Sequence, residues 1–222
     1  MRGTAQDAER IAARRRTIIE TGFSLFAQHG IENVSMPEIA QASGVGRATI
    51  FRYFQSKLEL VVEIGAVKWR ECLQENQKRI PEGELARMNA AEYLGFYLDS
   101  FLYLYRNHRD ILRFNQYFNI YVQTEHATPE QMKPYNEIVY ELLRGCHEIY
   151  RKATEDGTVR TDVTEEALIS ATLHIMLATV TRYAVGLVFV PKNGSNPEEE
   201  LIMLRDLLQK QYTVALPGGD KR

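Results

Sequence analysis

Ser35-Met-Pro-Glu-Ile-Ala-Gln-Ala-Ser-Gly-Val-Gly-Arg-Ala-Thr-Ile-Phe-Arg-Tyr-Phe54 decides the fold of this 222-residue chain. Ser35 is placed to cap a helix, and Glu38, three residues on, is placed to return a bond to it. Pro37 costs little in a first turn whose N–H groups have no intrahelical acceptor. Gly44 supplies the left-handed conformation that ends this helix, and Ala40, one turn earlier, leaves room for a second helix to cross closely. Val45 and Ile50 are expected to pack beneath the crossing, which turns Arg47, Ala48, Thr49, Arg52 and Tyr53 outward. Two short helices joined by a glycine turn, the second presenting cations and small side chains, suit a DNA major groove.

Outward from this pair, apolar residues recur at three- and four-residue gaps and no segment alternates, so the chain reads as all-α with about nine helices. A first helix is expected over 6–29, with Ile11, Ile18, Gly22, Leu25 and Phe26 inward and Gly30 as its stop. Ser56 and Glu59 form a second capping box that opens a helix reaching about residue 79, and Pro81-Glu82-Gly83 breaks it. Further helices are expected over 90–105, 110–121 and 128–152, the last opened by a Thr128/Gln131 capping box and closed before Gly157. Thr164 caps a helix to about 188, residues 191–195 form a loop, and Asn196-Pro197 opens a final helix to about 214. Residues 1–6 and the tail from Leu216 are expected to be disordered. The domains are drawn as 1–55, a DNA-binding helix-turn-helix, and 56–222, a helical ligand-binding and dimerisation domain.

From Ile18 to Leu60 the sequence resembles the TetR family of bacterial transcriptional repressors. The likeness rests on Ile18-Ile19, Gly22, Leu25-Phe26, Gly30, Ile39-Ala40, Gly44-Val45, Phe51, Tyr53-Phe54 and Ser56-Lys57-Leu58-Glu59-Leu60. Three positions depart from the family pattern: Gly22 stands for alanine, Gly46 for the serine that caps the recognition helix, and Phe51 for a tyrosine, without its hydroxyl. The resemblance implies a recognition helix in the major groove, phosphate contacts at Tyr53 and Lys57, and a first helix that brings Arg14, Arg15 and Arg16 to the backbone or the minor groove. Ser35, Arg47, Ala48, Thr49, Phe51 and Arg52 complete the expected DNA-binding set. Arg47 is the candidate for a guanine or a phosphate, and Ala48 and Thr49 for a thymine methyl.

The net charge of −2 and a pI near 6.2 do not mark a nucleic-acid binder, but the distribution is uneven: residues 1–60 carry +2 and the remainder −4. Cys72 and Cys146 make neither a disulfide framework nor a metal spacing, no signal-peptide pattern is present, and a cytoplasmic location is expected. The most apolar stretch, 168–190, is interrupted by His174, Thr179, Thr181 and Arg182, which argues against a membrane span. The histidines are scattered, and no nucleophile motif, phosphate loop or cofactor motif occurs, so neither an enzyme nor a cofactor is expected.

Aromatic residues crowd the middle of the chain. Tyr93, Phe96, Tyr97, Phe101, Phe114, Tyr117 and Phe118 have the make-up of a pocket for an apolar or aromatic small molecule, with Arg144, His147 and His174 as polar candidates. In the last two helices, Ala167, Ala171, Ile175 and Ala178 face an apolar set of Ile202, Met203 and Leu207, and the resemblance implies that these helices pair with a second copy as a four-helix bundle. The expected function is a homodimeric repressor that binds a palindromic operator in double-stranded DNA and is released by a small effector. The alternative is an adaptor of the same fold that recruits a protein partner and takes no small-molecule inducer.

Overall fold

The computed structural model describes residues 2–187 and 196–214, with side chains from Gln6 onward. The loop expected at 191–195 and the tail from Leu216 lie outside the described residues. Ten helices follow one another: α1 Arg2–His29, α2 Met36–Ala42, α3 Arg47–Tyr53, α4 Lys57–Gln77, α5 Glu84–Arg87, α6 Ala90–Asn107, α7 Arg109–Thr124, α8 Lys133–Asp156, α9 Glu165–Val185 and α10 Pro197–Tyr212. Among the described residues the extended structure is a single bridge between Val159 and Thr213.

Three boundaries differ from the sequence reading. Helix α1 begins at Arg2, so the segment expected to be disordered is helical from that residue. The break at Pro81–Gly83 leads into a short turn of helix, α5, entered through Gly83 at φ 80°. The Thr128/Gln131 box is present, with the Gln131 amide donating to Thr128 Oγ1 at 3.3 Å and the Thr128 amide to Gln131 Oε1 at 2.9 Å. It closes only a turn, and α8 starts at Lys133, because Pro134 has no N–H to continue the ladder and its ring crowds the preceding carbonyls.

The chain forms two compact units. The first comprises Met1–Arg70 and Arg113–Ile138, the second Glu71–Leu112 and Val139–Arg222. In the first unit Ile18, Phe26, Ile39, Ile50, Phe54, Leu60 and Ile64 are fully buried, together with Phe114 and Phe118 of α7. A Cβ on Gly22 would lie 3.0 Å from Ile64 Cδ1, and one on Gly65 would lie 3.1 Å from both the Phe118 and Tyr135 rings. Glycine at these positions admits neighbouring side chains that alanine would press against, most severely at Gly65, where rigid rings close on the helix.

In the second unit Leu94, Leu98, Ile149, Leu168, Met176, Val180 and Leu201 form the core. Its organising polar feature is the start of α6. Asn89 caps it through a capping box with Glu92, Asp156 Oδ2 accepts the Ala90 amide at 2.7 Å, and Thr158 Oγ1 accepts the Ala91 amide at 3.0 Å. Lys152 Nζ donates to the Ala86 and Met88 carbonyls, both at 2.8 Å, so the free ends of α5 and α6 are satisfied by one short stretch of α8 and its exit.

Candidate nucleic-acid interface

The helix pair is built as the physics of its sequence requires. Glu38 accepts from the Ser35 amide at 2.7 Å and from the Ser35 hydroxyl at 2.6 Å, and these bonds hold its carboxyl below the usual carboxylate range. Gly44 takes φ 68°, and the Val45 amide donates back to the Ala40 carbonyl at 2.9 Å, closing α2 and aiming the chain into α3. Gly46 opens α3 with no side-chain cap bond. Ile50, fully buried, pins the seven-residue helix to the unit beneath it.

Arg47, Ala48 and Arg52 stand in solvent, Phe51 is 48% exposed, and Thr49 and Tyr53 are half-buried. The exposed surface therefore runs along Arg47, Ala48, Phe51 and Arg52, with the Arg52 guanidinium 5.9 Å from the Tyr53 ring centroid. Ser35 is exposed, but its hydroxyl is engaged in the α2 cap. On α1, Arg14 and Arg16 are exposed. Arg15 is held inward: Nη1 donates to the Tyr53 carbonyl at 3.1 Å, Nη2 lies 3.3 Å from Glu63, and the guanidinium sits 4.4 Å above the Phe54 ring. It ties α1 and α4 to the last turn of α3, a role for which neither its charge nor its place in an arginine run gave a signal. Lys57 is half-buried, with Nζ 3.5 Å from the Glu32 carbonyl and 5.3 Å from the Tyr121 ring centroid.

The expected aromatic set is divided between the two units. Phe114 and Phe118 belong to the first unit, where Phe114 meets Phe23 edge-on at 5.6 Å and Phe118 lies 4.5 Å from Tyr135. Tyr117, in the same unit, lies against Gly30. Tyr93, Phe96, Tyr97 and Phe101 belong to the second unit, where Tyr97 and Phe101 pack edge-on at 5.3 Å and the Arg79 guanidinium covers the Phe96 ring at 5.5 Å. Helix α7 divides the run because its residues from Arg113 onward pack with α1 and α4. The charged candidates also stand outside any such chamber: Arg144 is exposed beside Glu141, His147 is exposed and paired with Glu165 at 2.9 Å, and His174 is exposed beside Ser170.

Around Tyr97 the described neighbours are uncharged. The Tyr97 hydroxyl is buried without a hydrogen-bond partner, close to Thr172 and Cys146. Burial pushes the Tyr97 phenol well up and the Cys146 thiol up to about 11. Tyr93 is raised by the same cause.

On α9 and α10 the expected pairing residues face solvent. Ala167, Ile175, Ala178 and Ile202 are exposed, as are Met203 at 61% and Leu207 at 56%, while Ala171 is half-buried. Helix α9 is long and apolar enough to cross a membrane, with 39% of its most apolar window buried.

Residues 18–64 match the family model described as bacterial regulatory proteins, tetR family. The transcriptional regulator AcrR of Shigella flexneri is 38% identical over 63 residues, which is 28% of each chain. A protein of Escherichia coli named for repression of the acrEF/envCD operon is 36% identical over 64 residues, 28% of this chain and 29% of its own. The chain spans 25–29% of the length of the curated relatives it matches. Solved structures match along most of the chain: one from Saccharomonospora viridis in complex with choline has a TM-score of 0.69 at 21% identity, covering 92% of this chain and 100% of its own. The regulator FadR of Bacillus subtilis in complex with stearoyl-CoA has a TM-score of 0.66 at 18% identity, covering 87% and 96%.

Proposed function

Residues 18–64 are a TetR-family DNA-binding domain and the chain has that family's fold; on this premise we propose that the protein is a homodimeric transcriptional repressor whose grip on a palindromic operator is loosened by a small effector. The observation that carries it is the open face of α3, Arg47, Ala48, Phe51 and Arg52, mounted on a helix that Ile50 fixes from below. A helix of this size enters the major groove, and two copies related by a dyad read half-sites with centres about 34–36 Å apart or a multiple of it. The solvent-facing apolar residues of α9 and α10 supply a self-complementary surface for the second copy. That use also accounts for the apolar character of α9 without a membrane.

For the effector, the partnerless Tyr97 hydroxyl among Tyr93, Phe101 and Cys146 supports an uncharged, largely apolar compound that offers one hydrogen-bond acceptor. Its binding lowers operator affinity only to the extent that it prefers the DNA-incompetent form.

Selection of genomic DNA fragments by the purified protein, at a stated salt concentration, tests the reading. One enriched palindrome, bound by a dimer, is the expected result. Many weak sites with no shared half-site would refute operator recognition and favour an adaptor. In the selected operator, Arg47→Ala should cost about 1–3 kcal/mol at one base position if the side chain reads guanine, and an equal loss on all variants if it anchors phosphate. Gel mobility against a panel of single-base operator variants separates the two.

A further inference from the structure

Lys57 occupies a place that α4 alone does not explain. It is the first residue of the helix, where a cation opposes the macrodipole, and the α4 cap is made without it: Ser56 Oγ accepts the Glu59 amide at 3.1 Å and Glu59 accepts the Gln55 amide at 2.7 Å. Its ammonium lies on two rings and a carbonyl drawn from three other segments. Nζ is 5.3 Å from the Tyr121 centroid of α7, 6.0 Å from the Phe26 centroid of α1 and 3.5 Å from the Glu32 oxygen of the loop between α1 and α2. Partial desolvation lowers its pKa, while the carboxylates of Glu32, Glu125 and Glu38 act in the opposite direction. Tyr121, 4% exposed, has its hydroxyl pushed up to about 12 by burial beside Glu125 and Glu32, so the ring under the ammonium is neutral.

We propose that Tyr121 of α7 is a positioning residue for operator binding: its ring, with the Glu32 carbonyl, holds the Lys57 side chain in a docked pose that must open before the ammonium reaches a DNA phosphate. A phosphate brought to the docked ammonium would also meet the acidic groups at 32 and 125, so the side chain swings outward on binding, and the attraction it leaves behind subtracts from affinity. The position of α7 against α4 sets the depth of that seat. Operator strength is thereby tuned from α7 with no change in the recognition helix. The inference rests on the DNA-binding reading above and adds to it an element outside the helix-turn-helix.

The test uses the full-length protein and its selected operator, with dissociation constants measured between about 50 and 200 mM salt. Lys57→Ala is expected to weaken binding and flatten the salt slope by about 0.9, the contribution of one neutralised phosphate. Tyr121→Leu should tighten binding about threefold at unchanged slope, as expected when a cation–aromatic contact with a partly solvated ammonium is removed from the free state. Tyr121→Phe, which keeps the ring, should behave as the parent, and the doubly changed K57A/Y121L protein should match K57A alone. Glu125→Gln, an exposed change that leaves the core intact, should tighten binding in the same direction by less, which covers the case that Tyr121→Leu unfolds. Weaker or unchanged binding by both Tyr121→Leu and Glu125→Gln overturns the proposal, as does tightening that persists without Lys57. An unchanged slope for Lys57→Ala overturns it while leaving operator recognition standing. Failure of the parent protein to prefer any operator removes the DNA-binding reading and the proposal together.

Discussion

The two ring clusters of this chain share one aromatic stretch of sequence, Tyr93 to Phe118, to which the first adds Phe23 and Tyr135. In the first unit Phe23, Phe114, Phe118 and Tyr135 meet in succession, edge-on or tilted, and the last two close on Gly65. In the second, Tyr97 and Phe101 meet edge-on, but the Tyr97 hydroxyl is buried beside Thr172 and Cys146 without a formed hydrogen bond. Rings that cover one another stabilise, whereas a hydroxyl buried among rings without a formed hydrogen bond costs desolvation that nothing returns. The difference teaches that the density of aromatic residues along a chain says how much ring surface must be covered, and says nothing of which body covers it.

The contrast is open to direct attack. Phe118→Ala should be the most damaging change, costing about 3–5 kcal/mol, because it empties a fully enclosed site. Chemical denaturation of the purified protein measures it, and a loss under about 1 kcal/mol would mean the first cluster is not closed. Gly65→Ala comes next at about 1–3 kcal/mol, since its methyl would be driven 3.1 Å from two rigid rings. Gly22→Ala sharpens that result: its methyl meets only the flexible end of Ile64, so the gain of about 1 kcal/mol in helix propensity should offset the contact and leave stability near the parent value. Smallest of all, Tyr97→Phe should leave stability unchanged or raise it slightly, because it deletes a buried hydroxyl that has no partner. A marked loss in a thermal melt would show that the hydroxyl is satisfied, and would end the comparison.

Legibility in the sequence followed the range of the interactions. The caps and turn of the α2–α3 pair were readable because those signals lie close to their targets, Ser35 with Glu38, Gly44 at the turn and Ile50 beneath, whereas Val45, Thr49 and Tyr53 are half-buried rather than fully in or out. Helix existence was readable from periodicity, whereas the start of α8 was misjudged where a capping box and a proline stand six residues apart and the proline decides. The inward turn of Arg15 depends on Glu63 and Phe54, some forty residues away, and no local pattern encodes it. The same holds for Lys57 and Tyr121, whose meeting follows from α7 packing with α1 and α4. Arg144 and His147 were placed near the rings by residue type alone; their partners, Glu141 and Glu165, hold them at the surface.

Helix α3 has seven residues, and the glycine at its start contributes no side-chain bond. So short a helix has little stability of its own, and its amides are freed by local opening at a small fraction of the cost of global unfolding. In deuterium exchange it should label early in the free protein and late on the operator. The surface expected to meet base edges is thus mounted on a helix with little stability of its own. Where a duplex orders that helix further, recognition carries the entropy of the ordering.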